Sequence, residues 1–167
     1  MSNISMYVHA ITLDADSNSP ILILKEENGE RTLPIWIGLL EATAIATEME
    51  KIEFVRPMTH DLSVNLLKKM EIKIPRIEIS DLKDNTYYAL ITIKQGDRVL
   101  TVDARPSDAV AIALRADAQI FVNESILKIT QSTKGTVIKN GEKTPDEEGR
   151  WAKILEEMDP AAVRYKI

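Results

Sequence analysis

The chain has 167 residues, a formal net charge of −5 at pH 7 and no cysteine. The lack of cysteine excludes disulfides, thiolate metal sites and cysteine nucleophiles, and the acidic charge argues against a protein that grips duplex nucleic acid by bulk electrostatic attraction. The length suits one domain with a sizeable core. No apolar run reaches the length of a membrane span, and the first residues do not resemble a signal peptide, so we expect a cytoplasmic protein without a membrane partner.

The first part of the chain predicts three strands and a helix. Apolar residues line both sides of residues 4–13, a short apolar run covers residues 20–24, and a turn leads into a strand over residues 31–37. Gly38 ends that strand. The residues from there to about Lys51 predict a helix that is apolar on nearly every side and is therefore expected to be buried.

A second helix is predicted from near Thr59 to Met70. Thr59 has a side chain suited to the N-cap position. Leu62, Leu66 and Leu67 recur at helical spacing, so we expect them to face the core.

Strands and a third helix follow. The apolar alternation changes phase at Pro75-Arg76, which predicts a β-bulge or an edge position there. Residues 86–95 and 98–104 predict a hairpin. Pro106 suits the first position of the third helix, where its missing N–H costs nothing.

The end of the chain has a different composition. Residues 130–145 are polar and predict a loop, Thr144 begins a capping box, and an amphipathic helix containing Trp151 follows. We therefore divide the chain into a domain over residues 1–130 and an appendage over residues 131–167.

An internal repeat organises the domain. Glu41-Ala-Thr-Ala-Ile-Ala46 is mirrored 67 positions later by Asp108-Ala-Val-Ala-Ile-Ala113, and the turns before these segments align at the same offset. Together with the order of elements, the repeat predicts an α+β fold. Its two duplicated β-β-β-α halves are expected to form a mixed or antiparallel sheet packed with helices.

The two copies differ in the residues just before the repeated helix and in its first turn, which we call the helix entrance. The second copy is polar there. The aligned pairs are Asp103 and Trp36, Arg105 and Gly38, Pro106 and Leu39, and Ser107 and Leu40. We expect Trp36 to be buried in the core or in an interface. The second copy is the one expected to carry chemistry.

Two helix entrances share a pattern of arginine, proline and an acid. Arg56 and Arg105 each precede a proline and a helix whose first turn holds an acid, Asp61 or Asp108. Helix N-termini bind phosphate, arginine offers a fork of donors to phosphate oxygens, and carboxylates hold Mg²⁺ or Mn²⁺. These are the parts of a phosphodiester hydrolysis site.

Other residues add to this pattern, and each has a structural alternative. His60 has a side chain suited to proton transfer, or is an exposed residue without a role. Glu41 is the repeat counterpart of Asp108 and either shares a metal with it or is an ordinary N-terminal charge. Asp103 is a metal ligand or orients Arg105. The acids of both entrances are otherwise helix caps.

Three segments resemble the bifunctional nuclease family (the BFN domain) over roughly residues 5–130. The segments are Leu33-Pro-Ile-Trp-Ile-Gly38 with Glu41-Ala42, Arg56-Pro57 with Thr59-His60-Asp61-Leu62, and Asp103-Ala-Arg-Pro-Ser-Asp-Ala109. The resemblance implies an α+β domain that forms a homodimer and degrades both DNA and RNA. It also implies a site formed by Arg56, His60, Asp61, Asp103, Arg105, Ser107 and Asp108.

We assign roles within that implied site. Proton transfer and the chemical step are expected of His60, Asp61, Asp103, Arg105 and Asp108. Phosphate binding is expected of Arg56, Thr59, Arg105 and Ser107. Asp103, Asp108 and Glu41 are expected to hold Mg²⁺ or Mn²⁺.

Two other functions fit the same residues. One is a non-catalytic regulatory module that binds a phosphorylated ligand or a protein partner at the helix entrances. The other is a structural dimer whose polar motifs only hold the fold together.

Overall fold

A computed structural model describes residues 2–132 of the chain. The polar loop and last helix predicted beyond them, with Thr144 and Trp151, lie outside the described residues. The strands are β1 (Asn3–Leu13), β2 (Pro20–Glu26), β3 (Thr32–Trp36), β4 (Lys73–Lys83), β5 (Thr86–Gln95), β6 (Arg98–Ala104) and β7 (Gln119–Asn123). The helices are α1 (Leu39–Met49), α2 (Thr59–Lys69), α3 (Pro106–Ala116) and α4 (Glu124–Ser132).

The strands form one mixed sheet in the order β3-β2-β1-β7-β4-β5-β6. Neighbouring strands are antiparallel, except that β4 and β7 are parallel. The predicted α+β class is confirmed. The two three-stranded meanders flank β7, which places β6 at one edge of the sheet and β3 at the other.

The duplication is visible in the boundaries of the elements. Helices α1 and α3 begin at residues 39 and 106 and end at residues 49 and 116, so both boundaries lie 67 positions apart, as in the sequence repeat. The two helices contact each other. Their small residues Ala42, Ala46, Ala109 and Ala113 are all buried in the core.

Helix α1 is not buried on every side. It packs against α3 and β2, but Leu39 and Leu40 at its start are exposed, Leu40 to 78%. Trp36, at the end of β3, is also exposed and donates a hydrogen bond from Nε1 to Asp14. The prediction of a buried helix is therefore wrong. Of the two places predicted for Trp36, its exposure excludes the core, and burial in an interface stays a prediction.

Helix α2 begins and packs differently from the sequence prediction. Its N-cap is Met58 rather than Thr59, and the Asp61 carboxylate accepts a hydrogen bond of 2.8 Å from the Met58 N–H. Because α2 packs mainly on α3, its buried line passes through Val64, and Leu66 is 56% exposed. The predicted core face of Leu62 and Leu66 is wrong.

The phase change at Pro75-Arg76 is a β-bulge, as predicted. The register of β4 against β5 shifts between Lys73 and Arg76. Two short elements after α3 were not predicted. Strand β7 has five residues and α4 has nine, and neither is long enough to show a clear period in sequence.

Candidate active site at three helix entrances

The N-terminal ends of α1, α2 and α3 meet at one place. Glu41 lies in the first turn of α1, His60 in the first turn of α2, and Asp108 in the first turn of α3, whose N-cap is Arg105. Their side chains form a connected row, which we call the entrance cluster: Glu41, Arg105, Asp108 and His60. The fold therefore brings together residues 67 positions apart in sequence.

The contacts within the entrance cluster are short and directional. Arg105 donates from Nη1 to Glu41 Oε1 at 2.7 Å and from Nε to Asp108 Oδ2 at 2.7 Å. The other oxygen of Asp108 lies 3.0 Å from His60 Nε2. One guanidinium thus bridges the acids of both repeats, and one of these acids also holds the histidine.

Local backbone structure explains why these side chains reach each other. Pro106 starts α3 and leaves Arg105 in an extended conformation just before the helix. On the opposite side, the Glu41 carboxylate lies over the backbone of Gly38, where an added Cβ would approach Glu41 Oε2 to 2.2 Å. Gly38 therefore leaves room for the carboxylate in the position from which it bonds Arg105.

Charge interactions shift the pKa values of the two central groups. Partial burial acts to raise the pKa of Asp108, but hydrogen bonds from Arg105 and His60 outweigh it, so the pKa lies below the usual value of 3.8. Hydrogen bonds to Asp108 and Glu41 raise the pKa of Arg105 above its usual value. Asp108 is therefore an anion, and Arg105 a cation, at neutral pH. The guanidinium remains 64% exposed and accessible to a ligand.

Asp61 is engaged in holding the helices together. One oxygen accepts from the Met58 N–H, and the other accepts from Nε of Arg115, which is only 6% exposed. Arg115 also donates to the backbone carbonyls of Ala44 and Ala111. The sequence patterns did not single out Arg115. It follows the buried Ala111 by one helical turn, and a charged residue at that spacing is the signal that could have found it.

The remaining predicted phosphate ligands have different surroundings. Arg56 is exposed and forms no ion pair with any described residue, and Thr59 is exposed at the start of α2. Ser107 is buried. Arg56 and Thr59 are thus accessible to a ligand near His60, whereas the side chain of Ser107 faces the protein.

Asp103 is not part of the entrance cluster. Strand alternation puts it, with its register partner Leu90, on the face of the sheet opposite to Ala89 and Ala104. Ala89 is buried on the side that α3 covers. Within residues 2–132, three or more His, Asp or Glu side chains do not come together in a group suited to a metal ion.

The cluster has the chemical groups for binding and cleaving a phosphate ester. Three helix N-termini supply partial positive charge, an accessible guanidinium supplies a fork of donors, and a histidine held by a carboxylate can take up a proton.

In the described part of the chain, we find no helix long and apolar enough to cross a membrane.

Comparisons with known proteins identify relatives of this chain. An uncharacterized protein from Mycobacterium tuberculosis is 45% identical over 120 residues, which cover 72% of this chain and 71% of that protein. Bifunctional nuclease 2 from Oryza sativa subsp. japonica is 29% identical over 111 residues, or 64% of this chain and 34% of that protein. Bifunctional nuclease 1 from Arabidopsis thaliana is 26% identical over 109 residues, with 63% and 34% covered.

The chain spans about a third of the length of these two plant relatives. The model of the bifunctional nuclease domain matches residues 22–134, which include the whole entrance cluster. By this match, over more than half of its length, the chain belongs to the bifunctional nuclease domain family.

Proposed function

We propose that the chain hydrolyses phosphodiester bonds of DNA and RNA at the entrance cluster. The observation that supports this most directly is the row Glu41–Arg105–Asp108–His60 at the meeting point of three helix N-termini. Family membership supports a nuclease, and the names of the plant relatives agree with it.

Arginine side chains and helix ends would hold the scissile phosphate. Arg105 is mostly exposed and can turn a guanidinium N–H toward a phosphate oxygen without leaving the cluster. Arg56 lies four residues before His60 and has no ion pair within the described residues, so it is available to the same phosphate. Interactions of this kind stabilise the charge that develops in the transition state.

His60 would act as the general base. Asp108 contacts Nε2, which leaves Nδ1 to accept a proton from the attacking water, and the carboxylate then stabilises the imidazolium. As the water oxygen bonds to phosphorus, the bond from phosphorus to the leaving oxygen breaks. A proton-transfer group of this kind contributes about 10²–10⁴ in rate.

The charges of the cluster favour a divalent cation as a further component. Two carboxylates face one guanidinium, so the cluster itself would repel a polyanion unless another cation joined it. Mg²⁺ is commonly bound by one or two carboxylates together with substrate phosphates, and Glu41 and Asp108 would be those carboxylates. Bound Mg²⁺ or Mn²⁺ would supply Lewis-acid stabilisation of the phosphate.

We also propose a homodimer that uses the outer face of α2. Met58, Leu62, Leu66 and Met70 recur every four residues and are all exposed, so they form one apolar stripe. A stripe of this kind is typical of a surface covered by a partner. A second copy would cover it by packing its own stripe against the first.

The expected cytoplasmic location stays a prediction.

The test is cleavage of labelled single-stranded RNA and DNA by protein purified free of other nucleases. We expect cleavage with Mg²⁺ or Mn²⁺, loss of cleavage with EDTA, and a rate at least tenfold lower for Asp108→Asn, or about 1.4 kcal/mol of barrier. Equal cleavage by wild type and variant would indicate a contaminant and refute the proposal.

The regulatory alternative makes a different prediction in the same experiment. A module that only binds would show a ligand-dependent rise in melting temperature without any cleavage. The structural alternative would show a lower melting temperature for Asp108→Asn and neither binding nor cleavage by the wild type.

A further inference from the structure

The sheet face away from α3 carries cations and aromatic rings over three adjacent strands. On β5, Tyr88, Thr92 and Lys94 alternate with the buried residues Ala89 and Ile91, so they lie on the outer face. Residues of β4 and β7 share this face by register, because Lys73 is paired with Lys94, Arg76 with Thr92, and Phe121 with Glu78. We call the set Lys73, Arg76, Tyr88, Lys94 and Phe121 the platform.

The β-bulge at Pro75 is what puts two of the cations on one face. Lys73 and Arg76 are three positions apart, so a regular strand would point them to opposite faces. The register shift between them adds one residue. Ile74 and Ile77 are consequently both buried on the inner side, while Lys73 and Arg76 are both exposed on the outer side.

The cations of the platform are close to each other and not neutralised. Lys73 and Lys94 are directly opposite in an antiparallel pair, where like charges are destabilising. Neither forms an ion pair with any described residue. Three acids share this face. Glu78 and Asp103 lie in the row of Phe121, between the cations and Tyr88, and form no ion pair within residues 2–132. Asp81, the register partner of Tyr88, pairs with Lys83. A ligand with negative charge would relieve the repulsion between the lysines.

The aromatic rings give the platform a second kind of contact. The Arg76 guanidinium lies over the Phe121 ring, 5.8 Å from its centroid. Tyr88 is 41% exposed, and Lys83 Nζ lies 5.8 Å from its ring centroid. Phe121 itself is half-buried, so the surfaces available to a base are the Tyr88 ring and the Arg76 guanidinium. Unstacked bases bind on aromatic rings and guanidinium planes of this kind while the phosphates meet neighbouring cations.

We propose that the platform binds single-stranded nucleic acid, with bases against Tyr88 and against the Arg76 guanidinium that lies over Phe121, and phosphates against Lys73 and Lys94. A single strand fits better than a duplex because the rings need the faces of unstacked bases. This inference rests on the proposed nuclease function and deepens it by assigning a surface that holds the substrate. At one end of the platform, Lys73, Arg76 and Lys94 form a local group of cations on a chain of net charge −5, and such a group can attract a phosphate backbone.

The experiment is fluorescence anisotropy of a labelled oligonucleotide with the full chain in EDTA, over a series of salt concentrations. The variant Lys73→Ala/Lys94→Ala is expected to bind at least tenfold more weakly, with a salt slope lower by about 1.4, because each lost phosphate contact removes about 0.7. Tyr88→Ala is expected to weaken binding about tenfold. The control, Lys68→Ala/Lys69→Ala, removes the same charge from exposed lysines of α2, which packs on α3 and not on the platform face, and is expected to bind like the wild type.

Separate outcomes distinguish this inference from the proposed hydrolysis. Platform variants that bind like the wild type would overturn the inference even if the protein cleaves nucleic acid. A wild type that does not bind would overturn it as well. Binding that depends on the platform, without cleavage in Mn²⁺, would support the platform and refute the nuclease. Equal affinity for heparin, unaffected by Tyr88→Ala, would show an unspecific polyanion surface and overturn the inference.

Discussion

The entrances to α1 and α3 occupy equivalent positions of a duplicated unit but have different chemistry. Each helix has an acid in its first turn, Glu41 or Asp108. The residue before the helix is Gly38 in one half and Arg105 in the other. Because the two entrances meet, the single arginine pairs with both acids. The two halves thus provide two similar helix N-termini, and the arginine at position 105, where the first half has Gly38, joins them in a charged cluster.

The other ends of the same helices show a second difference. Arg115 of α3 is buried and holds Asp61 and two backbone carbonyls. Its repeat counterpart on α1 is Glu48, which pairs with the exposed Lys51. The third helix is therefore the one that fastens α1 and α2 to the sheet, and it also carries the central residues of the entrance cluster.

Replacing Arg115 is expected to have the largest effect on stability. Arg115→Met removes a buried cation and leaves Asp61 and two carbonyls without their donor, which we expect to cost about 3–5 kcal/mol. The matched change on the other helix, Glu48→Met, breaks only a surface pair and is expected to change stability by about 0.5 kcal/mol or less. Urea unfolding measures both, and equal losses would contradict this difference between the helix ends.

Low pH is expected to lower the free energy of unfolding through Asp108, at the entrance to α3. Its pKa is lower in the folded state than the usual 3.8, so at low pH the unfolded chain binds the proton more tightly. The stabilisation is complete above about pH 4 and is lost as the pH falls through the folded-state pKa. At pH 6 we expect Asp108→Asn to be less stable by about 1–3 kcal/mol.

Urea unfolding at pH 6 and pH 3 checks this effect. The difference between wild type and Asp108→Asn is expected to shrink at pH 3, because this pH is below the usual pKa of 3.8 and the unfolded wild-type chain binds the proton more tightly than the folded state does. A constant difference would show that the ionised carboxylate is not what stabilises this entrance.

Replacing Gly38, the counterpart of Arg105 in the first half, is expected to have the smallest effect on stability. Gly38→Ala places a methyl group where the Glu41 carboxylate lies, so the side chain must move and its bond to Arg105 lengthen. The side chain is flexible, so we expect a stability loss below about 1 kcal/mol. The thermal melting temperature of Gly38→Ala should approach that of Glu41→Gln. A loss as large as that of Arg115→Met would show that the glycine has another role.

Much of the fold was predictable because it follows from local patterns. Alternating apolar residues, the repeat at 67 positions, Pro106 and the phase change at Pro75 each reflect one backbone feature, and each prediction was confirmed. Leu62 and Leu66 were misassigned because helical spacing identifies an apolar face without telling whether the core or a partner covers it.

The site was only partly predictable because its contacts join distant elements. The sequence placed Glu41, His60, Arg105 and Asp108 at helix entrances, and the fold brings these four together. It did not indicate that Asp61 pairs with Arg115 of another helix. Nor did it indicate that strand alternation places Asp103 on the face of the sheet opposite to Ala89 and Ala104. Such facts depend on helix packing and on strand register, which neighbouring residues do not encode.

The most direct test of the entrance cluster as a reactive site is the cleavage rate of His60→Ala, measured in single turnover with and without added imidazole. We expect the rate to fall at least a hundredfold, to recover in part with imidazole, and to do so without a change in melting temperature that accounts for the loss. Cleavage by His60→Ala at the wild-type rate would contradict the assignment of the cluster as the site of the reaction.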